Sequence, residues 1–194
     1  MNQTFFISDL HFGHRNVLAY DNRPFATIEE HDEELIKRWN SRLSSNDTGW
    51  ILGDLGWYSS DRMESILKRL NGEKRLCIGN HDKKLLENPN VRSQFAEICD
   101  YKEIYLSRKQ GIVLSHYPSP CFNRHFYGWL HFYGHVHNSF EWNMMERVKY
   151  EMEALYDKPC YMFNVGCMMP YMDYTPRTAE EIVQMASPSY GELH

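Results

Sequence analysis

The chain has 194 residues and no run of about 20 apolar residues, the length that a membrane-spanning helix needs. Its most apolar stretches, Tyr127 to Tyr133 and Tyr161 to Met172, are short and broken by His, Asn, Gly or Pro. It has no C-x-x-C pair. Cys77, Cys99, Cys121, Cys160 and Cys167 are scattered and odd in number, which speaks against a disulfide framework or a cysteine-ligated structural zinc. Basic charge is not in excess: 21 Lys and Arg against 26 Asp and Glu leave a net charge of −5. That sign disfavours long duplex nucleic acid as a partner, while a local basic patch stays compatible with it. No repeat, low-complexity tract or Pro/Gly/Ser linker occurs, so a single domain over 1–194 is expected. Met1-Asn2-Gln3 leads directly into Thr4-Phe5-Phe6-Ile7 without a basic start or a small-residue cleavage site, and the expectation is a cytoplasmic protein.

What is present has the composition of a globular protein, 42% hydrophobic and 24% charged, which excludes disorder. The first half alternates strand and helix. Gln3 to Ser8, Gly49 to Leu52 and Arg75 to Ile78 read as strands. Thr27 and Glu30 form a capping box before an amphipathic helix over Ile28 to Leu43. Ser60 is expected to cap a second helix, with Gly72 as its stop. Asp82 to Leu86 and Val91 to Ile98 read as short helices split by Pro89. In the second half, Glu103 to Leu106 and Ile112 to Ser115 flank a hairpin turn, and Trp129 to Tyr133 and Tyr161 to Val165 are strands. Between these last two lies a helical insertion over 138–158, whose Met145, Val148, Met152 and Leu155 are expected to face the core. A final helix is expected over Ala179 to Ala186, and a loose tail over 188–194. The order predicts an α/β domain of mixed sheets covered by helices.

Histidine is the unusual component. There are ten, and half fall in polar motifs at the ends of these strands. Asp9-Leu10-His11 follows the first strand, Gly53-Asp54 the second and Gly79-Asn80-His81-Asp82 the third. His116 ends the hairpin, and Gly134-His135-Val136-His137 follows the next strand. Carboxyl ends of strands are where open α/β sheets bind ligands. Residues i and i+2 of an extended segment share a side, so Asp9 and His11 are expected to aim at one point, as are His135 and His137. Glycines at 53, 79 and 134 allow sharp turns and close approach. Two carboxylates, four histidines and one amide form an N/O donor set that suits zinc, manganese, iron, cobalt or nickel better than calcium or magnesium. Seven donors are too many for one tetrahedral ion and suit two ions that share a carboxylate. Such a pair lowers the pKa of bound water towards ~7, which creates a nucleophile at neutral pH.

The ordered blocks Asp9-x-His11, Gly53-Asp54, Gly79-Asn80-His81-Asp82, His116 and Gly134-His135-x-His137 resemble the calcineurin-like metallophosphoesterase superfamily. Asn164-Val165-Gly166 with Pro176 is similar to the closing strand of its small bacterial and phage members. The resemblance implies an αββα four-layer sandwich and a dinuclear centre. Asp9, His11 and His137 would hold one ion, Asp54 would bridge, and Asn80, His116 and His135 would hold the second. Manganese is the first choice of metal. His81 would be the general acid or transition-state stabiliser. The implied activity is hydrolysis of a phosphodiester or a small phosphorylated metabolite or nucleotide. Protein phosphatases of the superfamily carry a second Asp and an Arg after the Gly-Asp block. Here Leu55-Gly56-Trp57-Tyr58 follows, which favours the phosphodiesterase-like branch and leaves His81 without its usual orienting partner. Asp82 is not assigned that role, because side chains of sequence neighbours diverge. A non-catalytic metal-binding scaffold of the same fold is the alternative.

Other residues keep two readings. His14, Arg15 and Asn16 are either substrate-phosphate contacts or a helix start, and Asn80 is a further substrate contact. Arg124 and His125 are either phosphate contacts or surface charge. Phe12, Trp57, Tyr58, Tyr117 and Phe122 are expected to pack under the site more than to stack on a base. His31 is expected to face solvent and His131 to be structural. The insertion leaves a homodimer open.

Overall fold

The structure is a computed structural model and describes residues 2–186. The expected tail over 188–194 lies outside the described residues. The elements run in the order β1 (Thr4–Ile7), α1 (Val17–Tyr20), α2 (Ile28–Arg42), β2 (Thr48–Ile51), α3 (Ser60–Arg69) and β3 (Glu73–Cys77). They continue with α4 (Lys83–Leu86), α5 (Pro89–Arg92), β4 (Glu97–Cys99), β5 (Tyr101–Tyr105), β6 (Gly111–Ser115) and β7 (Leu130–Tyr133). The last are α6 (Phe140–Tyr156), β8 (Met162–Asn164) and α7 (Ala179–Ala186). No helix among the described residues is long and apolar enough to cross a membrane.

Two four-stranded sheets result, an α/β fold. β1-β2-β3-β4 is parallel throughout, as helical crossovers require. β5-β6-β7-β8 opens with an antiparallel hairpin and continues parallel. One core spans both sheets, with the Phe6 ring of β1 edge-on to Phe132 of β7 at 5.0 Å. Just beyond β1 and β8, Ser8 N–H donates to Val165 O at 2.8 Å and Cys167 N–H to Ser8 O at 2.9 Å. This join brings the carboxyl ends of β1 and β8 to one edge.

α2 follows its sequence pattern. Thr27 Oγ1 accepts from Glu30 N–H at 3.1 Å, and Glu30 reaches back to Ala26 N–H at 2.8 Å, one residue before the expected donor. Ile28, His31, Asp32, Leu35, Ile36 and Trp39 form its buried face. His31 is therefore not solvent-facing: it is 0% exposed. Its position is i+3 from Ile28 and i−4 from Leu35, and that spacing outweighs its polarity.

Three other expectations change. α3 starts after Ser59, which makes no side-chain capping bond, and Ser60 is its first helical residue. Val91 to Ile98 is not a helix. The two short helices do part at Pro89, but Pro89 itself opens α5 at its first turn, and the chain leaves helical geometry after Arg92. Ala96 N–H then donates to Lys74 O at 2.9 Å, and Glu97–Cys99 pairs with β3. The apolar spacing of Val91, Phe95 and Ile98 is helical, but the open edge of β3 takes the segment as a strand. α6 meets the expectation in part: Met145, Val148 and Met152 are half-buried, with Met152 packed against the second core cluster, but its fully buried residue is Lys149 and Leu155 is 74% exposed. Its inner face runs through Trp142, Met145, Lys149 and Met152 at helical spacing, and Leu155 falls beyond the end of that contact.

His131 is structural, as expected. In β7 it accepts from Ser119 N–H at 3.0 Å through Nε2, so its Nδ1–H donates to Val113 O at 3.1 Å. Burial pushes its pKa down to about 4. The folded chain therefore stays neutral at His131 where the unfolded chain, with an ordinary value near 6.5, takes up a proton. Stability is lost as pH falls from about 6.5 towards 4. In chelator, the stability advantage over His131→Gln should shrink by about 2 kcal/mol between pH 7 and pH 5 in urea unfolding. An advantage that does not vary with pH would refute the neutral buried imidazole.

Candidate metal centre

Segments that follow β1, β2, β3, β6 and β7 deliver the site. Asp9, His11 and His137 offer ligand atoms within 4.8 Å of one another, and so do Asp54, His116 and His135. Asp54 stands between the groups: Oδ2 is 3.8 Å from His11 Nε2 and Oδ1 is 3.6 Å from His116 Nε2. His116 Nε2 is 2.9 Å from Asn80 Oδ1, which adds the amide to the second group. All seven residues expected as ligands therefore meet at one edge.

The backbone reaches this arrangement by a different route from strand alternation. Asp9, His11, Asp54, His135 and His137 all have positive φ, between 48° and 69°. Left-handed conformations at non-glycine residues are uncommon and strained, and they cluster at functional sites. Here they turn the chain sharply enough to aim both ends of each short motif inward. Gly53 (φ +89°) packs so closely that a Cβ would lie 2.3 Å from His116 Nδ1. A Cβ on Gly134 would lie 2.4 Å from Ser8 Oγ and 2.5 Å from Asp9 Oδ2.

The donor set fits divalent cations. Asp9 and Asp54 are 0% and 2% exposed, and among the described residues neither carboxylate pairs with Lys or Arg. Buried carboxylates need a compensating charge. His11 Nε2 and His137 Nε2 are 3.1 Å apart, and two nitrogens each about 2.1 Å from one ion would be separated by roughly 3.0–3.4 Å. Burial holds the His11 pKa well below its ordinary value, and the Arg23 charge lowers it further, so the ring presents a neutral nitrogen. Burial and the Asp9 charge raise the Asp54 pKa against the opposing pull of His116.

Several supporting residues escaped the sequence reading. Asp21 Oδ1 lies 2.8 Å from His137 Nδ1 and fixes that ring. Burial lowers the His137 pKa, but the Asp21 hydrogen bond and the charges of Asp9 and Asp21 outweigh it and raise the pKa. Arg23, with its side chain fully buried, donates to Asp21 Oδ2 at 2.8 and 2.9 Å, to Asp9 O at 3.0 Å and to Leu10 O at 3.2 Å. It also donates to His31 Nε2 at 2.8 Å, and His31 Nδ1–H in turn donates to Asp32 at 2.8 Å. The buried face of α2 is thus wired to a candidate ligand. Asp82 accepts from the N–H groups of Asp54, Leu55 and Gly79 at 3.0, 2.8 and 2.7 Å. It fixes the two loops and does not orient His81.

His81 is held by Trp57. The indole lies with His14 on one contact (4.2 Å, 14° between planes) and His81 on another (4.2 Å, 44°). Trp57 is 43% exposed, so it lies at the mouth of the site and not beneath it. Tyr117, 51% exposed, contacts His116 and His135 in the same way. Phe12 and Phe122 are buried, as packing residues. His14 is brought to the site through Trp57. Arg15 is not: its side chain is 80% exposed and faces Glu29 at 3.7 Å. Arg124 lies over the Trp129 ring, and His125 Nδ1 donates to Phe122 O, so both serve local structure.

No family model matches the chain. Over 139 residues, 71% of this chain and 70% of the relative, it is 34% identical to the uncharacterized protein MJ1445 of Methanocaldococcus jannaschii. It is 41% identical over 85 residues to the gene 66 protein of Mycobacterium phage L5, a match that spans 42% of this chain and 41% of that protein. The solved structure of the protein of unknown function AQ665 from Aquifex aeolicus covers 95% of this chain and 100% of its own, with a TM-score of 0.68 and 26% identity. The fold is therefore shared along nearly the whole chain. With 34% identity over 70% of the archaeal protein, the chain belongs to the family of MJ1445.

Proposed function

We propose that this chain is a dinuclear-metal-dependent phosphoesterase, an αββα sandwich of the calcineurin-like metallophosphoesterase superfamily, acting on a phosphodiester or a small phosphorylated nucleotide. The observation that carries the reading is Asp54, within 4 Å of imidazoles from both donor groups. Asp9, His11 and His137 would hold one divalent ion, Asn80, His116 and His135 the other, with Asp54 between them. Manganese is the first candidate, with zinc, iron, nickel or cobalt as alternatives. Such ions supply a hydrolytic nucleophile at neutral pH and Lewis acidity towards phosphoryl oxygens. Two ions bring +4 and the two carboxylates return −2, so the site attracts a phosphate anion.

The chain's own part is positioning and proton delivery. His81 N–H donates to Asp54 Oδ1 at 3.1 Å, which fixes the Asn80-His81 turn beside the donors. The His81 imidazole, braced by Trp57, is exposed at the mouth and free to meet a leaving oxygen. Trp57 supplies the orientation that other family branches take from an acidic residue.

The test is hydrolysis of bis(p-nitrophenyl) phosphate and of p-nitrophenyl phosphate by manganese-loaded protein. His81→Gln should lower kcat by about 10²–10⁴-fold while both ions remain bound. The better substrate identifies the branch. Absence of turnover with manganese, nickel, cobalt and zinc would overturn the enzyme reading in favour of a metal-binding scaffold.

A further inference from the structure

A cleft of about 940 Å³ opens beside the donor groups, on the side where His81 stands. Trp57, Asn80, His81, Lys83, Lys84 and Glu87 are among its lining residues. Its volume lies within the range of small-molecule sites and exceeds what a simple phenol or alcohol needs. Its charge is uneven. Lys83 and Lys84 are both exposed, and neither is paired with an acidic side chain among the described residues, while Glu87 supplies a single negative charge. The two ammonium groups follow His81 by two and three residues, so the basic wall begins where the proton donor ends. Trp57 already meets two histidine rings, stacked on His14 at 4.2 Å and tilted against His81 at 4.2 Å.

Resting on the phosphoesterase reading, we infer that this cleft receives the leaving group, and that the leaving group is an alcohol that itself carries a phosphate. Hydrolysis forms one P–O bond to the oxygen of water and breaks the P–O bond to the alcohol. A proton passes from His81 to the departing oxygen, and the proton lost by water restores it. A second phosphate on the departing alcohol lies in reach of Lys83 and Lys84, which grip it by charge-assisted hydrogen bonds. Two sources share this chemistry: the end of a short nucleic-acid strand, and a small diester that is phosphorylated at its far end.

The experiment compares kcat/KM for the thymidine dinucleotide with and without a 5′-phosphate, on manganese-loaded protein at low salt. The phosphorylated form should be preferred roughly tenfold, and the preference should fall towards one in Lys83→Ala/Lys84→Ala and at high salt. Because each ratio is taken within one protein, a general loss of activity cancels. Equal rates in the wild type, or a preference that survives in the double variant, would overturn the inference. A matched pair with propanediol in place of the leaving nucleoside separates the sources. An equal preference there means that charge alone is read, and a preference confined to thymidine means that a nucleotide is. Turnover of bis(p-nitrophenyl) phosphate without turnover of either dinucleotide overturns this inference alone. No turnover of any diester overturns the reading beneath it. In that case, tryptophan fluorescence on titration of metal-stripped protein with thymidine 5′-monophosphate decides the cleft. Quenching that is lost in the double variant keeps the anion site, and no quenching removes it.

Discussion

Replacing Asp54 with asparagine is expected to lower metal-dependent phosphoester hydrolysis by about 10³-fold or more and to leave the chain holding fewer than two ions. The substitution is nearly isosteric, and an amide oxygen can still accept the His81 N–H that the carboxylate takes at 3.1 Å. The Asp82 bonds that hold this loop use the backbone of Asp54 and Leu55, and they are unaffected. What disappears is the charge. Asp9 and Asp54 are the two carboxylates among the donors, and Asp54 is the one that faces both groups. Removing it raises the charge that the remaining ligands must hold together from +2 to +3. Two-metal sites contribute several kcal/mol of transition-state stabilisation, and about 4 kcal/mol corresponds to roughly 10³ in rate. Metal stoichiometry by native mass spectrometry and turnover of bis(p-nitrophenyl) phosphate check this together. A variant that keeps two ions and most of its turnover would rule out a bridging role.

Arg23→Met should cost about 3–5 kcal/mol of folding stability, the usual penalty for removing one partner of a buried ion pair. The Arg23 side chain is fully buried, and the Asp21 side chain is 6% exposed. Burial pushes the Asp21 pKa up, but the His137 hydrogen bond and the Arg23 charge outweigh it and hold the pKa below its ordinary value. Asp21 therefore contributes stability above the usual carboxylate range, and that contribution is lost as pH falls through its depressed folded value. Without Arg23, the carbonyls of Asp9 and Leu10 lose their donor, and the ionised Asp21 keeps His137 as its remaining partner. Loosening a group that orients a candidate metal ligand should also weaken the expected metal affinity by about 10–100-fold. Arg23→Lys restores charge but not the forked contact with Asp21 and the carbonyls, so it should recover only part of the stability. Urea unfolding of the three proteins in chelator measures the first effect, and metal titration the second. A loss below about 1 kcal/mol in Arg23→Met would show that the network is not held by this charge.

The elements legible in the sequence are those set by local rules. α2 begins where Thr27 and Glu30 place it, and its apolar residues recur at helical spacing. The hairpin of β5 and β6 forms around its turn, and each ligand motif follows a strand. Those placements needed only capping, periodicity and the position of polar residues after apolar runs. The seven donors were legible for the same reason, since each is an uncommon residue type in a short motif at a strand end.

What the tertiary structure decided depends on partners far apart in sequence. β4 exists because β3 offers an unpaired edge to a segment 22 residues away, against the helical spacing of its own apolar residues. The buried state of His31 rests on Arg23 and Asp32 satisfying both ring nitrogens, and Asp21 matters through His137, 116 residues distant. Trp57 orients His81 only once the loops after β2 and β3 lie side by side. The sequence by itself determined which candidate donor groups stand together and the strand ends they follow. Only the tertiary structure decided the left-handed turns that aim them and the buried charges that hold them. The physical reason is that ion pairing and strand pairing become strong where folding excludes water, and no local pattern records which distant residue will be there.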